Sequence, residues 1–536
     1  MLGFETSAEV SNSIHLLLYF LPLYFPVTFN KHFQKRLKMK RKNDQPTVAI
    51  IDADGPSPSG GETRTASDEK VQLRKEIGLI KAISIIMGTI IGSGIFISPQ
   101  GVLSGTGSVG LSLVVWVVCG LVSLAGALCF AELSIVTGKS GSQYIFLKEA
   151  YGDIPAFLYS WTSSLLMRPG GMALVTLALG TYTADFVVPG VCGVPDVLIK
   201  LFAVLVTLFT SFINAISVKW TTNLHVVCTV SKVVVLLIIS GVGVVRMFQG
   251  HTEYINPAVS FIGSNTGFFQ LSDAFYQGLY PYDGWGSLST VYEEVFNPKR
   301  NVPLAVIISI PITIVIYIFV NLSYLTVLSP NEMIASKAVA LDFSEVSLGV
   351  MYWIVPLGIC ISVFGGAMGS SLTDSRLPYV TSREGHMAQV LSMISIKRRT
   401  PLPGIFLEAI IAVFLIAVGS FDTLVYGLSF AGWIFYGSAV LAVPILRYRL
   451  PDRPRPFKVP MIFVVVVFIT ACYLVVSPFI NGPGMETIYA CLFIFSGLIF
   501  YFPFVHFKYH PKIMDHITMF LQRLLQIVTA PYEEPD

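Results

Sequence analysis

Apolar runs of about twenty residues recur along most of this 536-residue chain, and each run is long enough to cross a lipid bilayer. Hydropathy and length predict about twelve such spans, numbered 1 to 12 in chain order. They lie near 79–98, 109–136, 156–187, 197–218, 224–246, 269–294, 303–328, 350–377, 404–422, 424–446, 459–479 and 486–506. Only 12% of the residues are charged, about half the fraction typical of soluble domains. The sequence therefore predicts an all-α polytopic membrane protein.

The distribution of positive charge predicts how the spans are oriented. Lys and Arg cluster before span 1 and after every even-numbered span, whereas the loops after spans 1, 3, 9 and 11 carry almost none. Because cytoplasmic loops carry the excess of Lys and Arg, we expect both termini to be cytoplasmic.

The two ends of the chain differ in composition from the predicted twelve-helix domain at 70–507. Residues 1–69 are interpreted as a disordered cytoplasmic segment, since 43–69 are polar and rich in Pro, Gly, Ser and Asp. Within it, residues 1–38 are interpreted as an upstream extension, with Met39 as the ordinary start. Residues 508–536 are predicted to be a cytoplasmic tail in which apolar residues at helical spacing over 513–528 indicate an interfacial amphipathic helix.

Composition and motifs argue against several classes of function. The net charge of +3 is too small to suggest nucleic-acid binding, and the eight histidines lack metal-ligand spacing. We find no nucleophile–base pair, and we expect no metal, no cofactor and no enzymatic activity. Cys192 lies in a connecting loop on the predicted oxidising side, unlike the other six cysteines in apolar runs. Both an intermolecular disulfide and a free surface thiol fit that position.

Two spans contain residues that interrupt a helix. Span 1 contains Gly92-Ser93-Gly94, which continues a helix poorly, although Gly88-x-x-x-Gly92 also fits a small-residue face for helix packing. Span 6 contains Pro281 followed by two glycines, which is a second interruption five spans later. Paired interruptions in corresponding positions of two halves indicate a transporter's midplane binding site.

The interruptions suggest a ligand class. Free N–H groups at the start of a half-helix attract a carboxylate, and free carbonyls at the end of one attract an ammonium group. A zwitterionic amino acid carries both groups. Tyr280 and Trp285 are candidates for gates or walls above it.

Charged residues inside the apolar runs are further candidates, because burying a charge in a membrane is costly. Asp283 fits a counter-charge for a cationic substrate group, a helper that orients the broken helix, or a structural partner between helices. Lys232 fits the place of a coupling sodium ion or a side chain that snorkels to the interface. The role of Arg168 is equally open. Asp374 and Arg376 are close enough in sequence to pair with each other.

Several motifs together resemble the light subunits of heteromeric amino acid transporters, in the amino acid–polyamine–organocation superfamily. The motifs are SIIMGTIIGSGIFISP at 84–99, YDGW at 282–285, EEVFNP at 293–298, SREGH at 382–386 and RPFKVP at 455–460. The resemblance is strongest to the b0,+-type subunit, followed by the cystine/glutamate and aromatic-preferring subunits. It implies a LeuT-like fold of five plus five spans in inverted repeat, with two further spans, and sodium-independent obligatory exchange of amino acids.

The resemblance also implies roles for individual residues. The substrate backbone would be held by Ile90, Ile91, Gly92, Ser93, Gly94 and Ile95. Tyr280 would be the aromatic gate, with Trp285 beside it, and Lys232 would replace the sodium site. Cys192 would form a disulfide with a single-span type II glycoprotein heavy chain (rBAT-like or 4F2hc-like) at the plasma membrane.

Two departures from the family pattern bear on selectivity. Met368 stands where the family usually has Asn, and Pro281 stands where Ala is common. Both favour large neutral or aromatic substrates, whereas Asp283 favours cystine or cationic amino acids as well. We therefore predict an antiporter light subunit for neutral amino acids, including aromatic ones, with cystine or cationic amino acids as further candidate substrates. The alternatives are a non-transporting scaffold or receptor-like protein, a narrow aromatic-preferring exchanger and a sodium-coupled symporter.

Overall fold

The computed structural model describes residues 77–187, 195–336, 338–398, 400–480, 482, 484–509 and 511–529. The predicted N-terminal segment 1–69 and Cys192 lie outside these residues. The described chain is almost entirely helical, and its two strands are β1 (Met393–Ser395) and β2 (Ile527–Thr529).

In the part of the chain that the structure describes, eight helical stretches are long and apolar enough to cross a membrane. They are spans 2, 4, 5, 7, 8, 10, 11 and 12, at Val109–Thr137, Asp196–Ile216, Val227–Phe248, Pro298–Leu325, Ile354–Arg383, Phe421–Arg449, Met461–Ile480 and Met485–His506. Span 1 meets the same criteria as a bent pair, Leu79–Ile90 and Gly94–Thr106, with 50° between its halves.

The three remaining predicted spans are helical but shorter, interrupted or more polar. Span 3 runs as Asp153–Thr162, a π-helical turn Ser163–Met167 and Arg168–Val187. Span 6 runs as Phe268–Leu279, a 3-10 turn Tyr280–Tyr282, Ser287–Thr290 and a 3-10 turn Tyr292–Glu294. Span 9 is Leu402–Val418. Each of the twelve predicted spans thus lies on helix, which confirms the polytopic helical fold.

Local sequence explains where several helices begin and end. Ser108 caps span 2 through a hydrogen bond from Leu111 N, and Gly138 ends it in the left-handed conformation at φ 68°. Ser329 and Glu332 form a reciprocal capping box at the start of the short helix Pro330–Ala335. The other short helices between spans are Gln143–Tyr151, Pro257–Ser260, Val339–Leu348, Gly349–Met351 and Gln389–Ser392.

The packing of the spans follows a two-fold pattern. Spans 1 and 6 pack against each other, as do spans 2 and 7 and spans 3 and 8. Span 4 packs on span 8, and span 9 packs on span 3. These are the pairings expected when two five-span halves are related by a two-fold axis in the membrane plane. Spans 11 and 12 pack outside the repeat, both on span 10.

The tail contains a helix at Lys512–Leu525, followed by β2. Gln526 takes the left-handed conformation at φ 51°, and Ile527–Thr529 pairs antiparallel with Met393–Ser395. The predicted continuation of the helix to residue 528 is therefore wrong. The strand pairing gives the backbone N–H groups of this segment partners that a frayed helix end would lack.

His386 connects the segment after span 8 with the helices that precede and begin span 3. Its Nδ1 lies 3.0 Å from Tyr144 Oη, its Nε2 lies 3.8 Å from Asp153 Oδ1, and its side chain is 4% exposed. Burial, together with nearby Lys148, lowers the pKa of His386 to about 4. The contact with Asp153 is therefore not an ion pair at neutral pH.

Candidate binding site at the two helix breaks

The first break separates Leu79–Ile90 from Gly94–Thr106 in span 1. Ile91 leaves the helical region with ψ 89°, and the second half-helix begins at Gly94. Among the described residues, the N–H groups of Gly92, Ser93, Gly94 and Ile95 donate to no protein acceptor. Four unpaired donors at a helix start form a site for a negatively charged group.

The second break lies in span 6, after the helix Phe268–Leu279. The 3-10 turn containing Pro281 tightens the end of that helix, and Asp283 then extends with ψ 159°. Gly284 takes φ +95°, a conformation that side chains other than glycine rarely adopt. The chain resumes a helix only at Ser287–Thr290, so the predicted interruption is present.

The two breaks pack directly against each other. A Cβ at Gly94 would lie 2.7 Å from Pro281 Cα, and a Cβ at Gly284 would lie 3.2 Å from the backbone of Thr89. Ser93 Oγ lies 3.1 Å from Tyr280 Oη, a second contact between the breaks. Glycine at these two positions allows the backbone segments of spans 1 and 6 to approach this closely. Gly94 therefore serves close approach between spans 1 and 6.

Two side chains from other spans donate to the free carbonyls at the ends of the half-helices. Tyr317 Oη lies 3.1 Å from Ile90 O and 2.9 Å from Pro281 O, so one hydroxyl from span 7 serves both breaks. The Lys232 ammonium from span 5 donates to Gly88 O at 2.9 Å. Lys232 is 1% exposed, which excludes the interpretation that it snorkels to the interface.

A cavity opens beside the second break, and the empty space within it, including its opening to solvent, is about 620 Å³. Its lining comes from spans 2, 3, 6 and 10: Ser123, Met167, Gly171, Leu174, Leu279, Tyr280, Asp283, Trp285, Leu428, Ser429, Gly432, Trp433 and Tyr436. The walls are mainly apolar and aromatic. Asp283 supplies the acidic group.

Aromatic rings fix one wall of the cavity and orient its carboxylate. Trp285 packs against Phe130 and Tyr436, with ring centroids 4.5 and 4.8 Å away. Tyr436 Oη donates to Asp283 Oδ1 at 2.6 Å. Tyr280 packs edge-on against Phe421 at 5.9 Å. The hydrogen bond from Tyr436 and the packed rings leave few orientations open to the carboxylate.

The structure brings some of the predicted site residues together and separates others. Tyr280, Asp283 and Trp285 line the cavity, and Ser93 reaches it through its contact with Tyr280. Ile90, Ile91 and Ile95 have buried side chains away from the lining, so their backbone groups are what they offer a ligand. Met368 is fully buried and does not line the cavity.

The predicted pairing of Asp374 with Arg376 is wrong. Asp374 Oδ1 instead accepts from the guanidinium of Arg168 in span 3, while Arg376 is exposed. Spans 3 and 8 pack side by side, so their facing charges meet although they are 206 residues apart in sequence. Arg168 thus has an intramembrane partner that neutralises it.

Tyr436 and Glu408 are among the polar groups within the spans that sequence reasoning missed. Tyr436 contacts Asp283 from span 10, and its spacing of three residues from Trp433 is the helical spacing of a shared face. Glu408 lies in span 9 between apolar residues and is 5% exposed. A lone carboxyl in an apolar run is itself a signal for an intramembrane site.

Comparisons with known proteins agree with this geometry. Residues 77–502 match the model of the amino acid permease family. The chain belongs to this family. This permease is 43% identical over 476 residues to the b(0,+)-type amino acid transporter 1 of Mus musculus, covering 88% of this chain and 97% of that one.

Two further relatives extend the comparison. The cystine/glutamate transporter of Homo sapiens is 38% identical over 483 residues, covering 90% of this permease and 95% of the relative. The large neutral amino acids transporter small subunit 2 of Homo sapiens is 36% identical over 496 residues, covering 89% and 90%. The resemblance inferred from the motifs is confirmed. Because these relatives are named as transporters, the prediction that this permease is not an enzyme is also confirmed.

Proposed function

We propose that this permease exchanges amino acids across the plasma membrane without sodium, as the light subunit of a heteromeric transporter. The observation that carries the proposal is the meeting of the two breaks beside the cavity. Unpaired N–H groups at 92–95 are suited to a substrate carboxylate, and the contact of Ser93 with Tyr280 puts them next to the cavity wall. The unwound backbone of span 6 is suited to the substrate ammonium group.

Lys232 supports sodium independence. Its ammonium group is fixed 2.9 Å from a carbonyl at the end of the first half-helix, where free carbonyls would otherwise attract a cation. The Lys232 amine thus occupies the place where a bound ion would otherwise meet this carbonyl. A sodium-coupled symporter is the mechanistic alternative, and it predicts that uptake falls when choline replaces sodium.

The walls of the cavity support neutral substrates with large side chains. Leu174, Leu279, Leu428 and Trp433 give the cavity an apolar wall against which a large side chain would pack. Asp283 adds a charge that suits cystine or a cationic side chain. A narrow aromatic-preferring exchanger is the second candidate, because the Trp285 and Tyr436 rings, tilted by 35° to each other, give the cavity an aromatic wall.

The partner in this proposal is a single-span glycoprotein heavy chain joined through Cys192. The charge distribution of the loops supports cytoplasmic termini, which places the loop around Cys192 on the outer face. Replacing Cys192 with Ser should abolish a heavy-chain band that shifts on reduction in a non-reducing gel. A band that persists in the variant would exclude this cysteine as the link.

Purified permease in proteoliposomes tests the transport mechanism. Labelled leucine or tyrosine should enter only when unlabelled amino acid is preloaded inside, and choline in place of sodium should leave the rate unchanged. Uptake without preloading would exclude obligatory exchange. No uptake of any amino acid, from protein that elutes as a stable species, would favour a scaffold or receptor-like role.

Replacing Asp283 with Ala tests side-chain selection. Because Asp283 supplies a negative charge in a mostly apolar cavity, arginine uptake should fall more than leucine uptake. The matched control is Tyr436→Phe, which keeps the ring and the carboxylate but removes the hydrogen bond between them. Equal losses for arginine and leucine in Asp283→Ala would give Asp283 a structural role.

A further inference from the structure

Glu408 is a carboxyl group buried within span 9. Its side chain is 5% exposed, and the surrounding helix, Leu402–Val418, is otherwise apolar. Ser371 Oγ donates a weak hydrogen bond to Oε2 at 3.4 Å, and Oε1 has no hydrogen-bond partner in the described chain. A carboxylate held this way would lack the donors that an ionised group needs away from water.

The nearby guanidinium of Arg168 is already paired with another carboxylate, that of Asp374. Arg168 donates from its guanidinium to Asp374 Oδ1 and from Nε to Ser163 Oγ at 3.2 Å. Arg168 and Asp374 are the charged groups that act on Glu408. Two carboxyl groups therefore share one guanidinium, and the cluster of Arg168, Asp374 and Glu408 carries excess negative charge if both are ionised.

Among the described residues, the other elements packed on span 9 bring no second counter-charge to Glu408. Lys200 of span 4 lies at the opposite end of span 9, where its Nζ donates to Ala417 O. In the last helical segment of span 8, Arg376–Arg383, Arg376 is exposed and Arg383 donates to Tyr379 Oη at 3.4 Å. The π-helical turn Ser163–Met167, the turn Gln389–Ser392 and β1 contain no titratable side chain.

We propose that Glu408 is a proton-binding site, occupied at neutral pH, where span 9 packs against spans 3 and 8. A protonated carboxyl is neutral and can be buried without a counter-charge, and it leaves Arg168 paired with Asp374. When the proton is released to water, the carboxylate competes with Asp374 for the single guanidinium. Arg168 directly follows Met167, which lines the cavity, so we expect a movement of Arg168 to shift the lining at Met167.

Release of the proton should therefore affect transport. The pair of Arg168 and Asp374 joins spans 3 and 8, and Ser371 joins span 8 to Glu408 in span 9. An ionised Glu408 rearranges these contacts, and we expect exchange to slow as the pH rises. This inference goes beyond the proposed exchange, because the proton site exists whether or not the permease transports.

Infrared spectroscopy of the full-length protein tests the site without any transport measurement. At pH 7 the wild type should show the carbonyl band of a protonated carboxylic acid, and Glu408→Gln should lack it. Glu408→Asp should shift the band and thereby confirm its assignment if the Gln variant folds poorly. The control Glu332→Gln changes an exposed capping residue and should leave the band intact. A spectrum of Glu408→Gln identical to that of the wild type would overturn the proposal.

Exchange in proteoliposomes across pH 6 to 9 tests the functional consequence. The wild-type rate should fall severalfold towards alkaline pH. Glu408→Gln mimics the protonated form, so its rate should be nearly independent of pH over the same range. An unchanged alkaline decline in the Gln variant would contradict a role for this proton in transport, whatever the infrared result.

Discussion

Gly94→Ala should separate the two breaks and impair both folding and exchange. The added Cβ would lie 2.7 Å from Pro281 Cα and 3.0 Å from its Cβ and Cγ. Real Cβ atoms do not approach this closely, so either the second half of span 1 or the turn at Pro281 must move. The neighbouring atoms belong to backbone and to a rigid ring, which cannot rotate away.

Overpacking of this kind typically costs about 1–3 kcal/mol. If the whole cost falls on the substrate-bound state, affinity decreases roughly 5- to 150-fold. If it falls on folding, the melting temperature decreases by a few degrees, at about 2–4 °C per kcal/mol or somewhat less for a chain this long. Thermal unfolding in detergent and exchange in proteoliposomes measure the two effects separately.

Two glycines provide matched controls. A Cβ at Gly92 would meet only Ile90 O, at 3.9 Å, and a Cβ at Gly241 would meet nothing within 4 Å. Both Ala variants should therefore melt near the wild type, although Gly92→Ala adds a methyl inside the break. A melting temperature for Gly92→Ala as low as that for Gly94→Ala would refute the argument from close approach to Pro281.

Three further variants test other parts of the fold. Lys232→Met leaves Gly88 O without its donor at the first break. The loss should cost about 1.5–3 kcal/mol of folding free energy and lower the melting temperature. An unchanged melting temperature would mean that this hydrogen bond is dispensable. Glu132→Gln removes the charge of a buried carboxylate that accepts two hydrogen bonds from Arg447, at 2.6 and 2.8 Å. Breaking such a buried ion pair costs about 3–5 kcal/mol of folding free energy. A purified variant with wild-type stability would contradict this. The pKa of His386 is about 4 in the folded protein and about 6.5 in the unfolded chain. Between these pH values the unfolded chain therefore binds more protons than the folded protein. The free energy of unfolding should fall as the pH falls through this range, by up to about 3 kcal/mol. Melting temperatures from pH 7.5 to 4.5 should show this decline, and it should be smaller in His386→Gln.

The breaks were predictable because their cause is local. Glycine and proline weaken a helix wherever they stand, so Gly92, Gly94, Pro281 and Gly284 could be recognised without knowing any neighbour. The same holds for the lengths of the spans, which the thickness of a bilayer sets. The helices accordingly lie where hydropathy predicts them.

The partners of the buried charges were not predictable in this way. Proximity in sequence suggested that Asp374 pairs with Arg376, but the pairing with Arg168 depends on which faces of spans 3 and 8 meet. Tyr436 is 153 residues from Asp283, and no local pattern reveals their contact. The burial of Met368 away from the cavity likewise depends on the rotation of span 8, which its nearly uniform apolar sequence does not specify.

The antiparallel pairing of β2 with β1 has a practical consequence for engineering the protein. Ile527–Thr529 is held by Met393–Ser395, so a reporter or affinity tag fused immediately after Thr529 pulls on a strand that is part of the folded body. Deleting the last ten residues would remove the strand and expose the edge of β1, which offers another chain a template for aggregation. Fusions for imaging or purification therefore call for a flexible linker after residue 536, with the strand left intact.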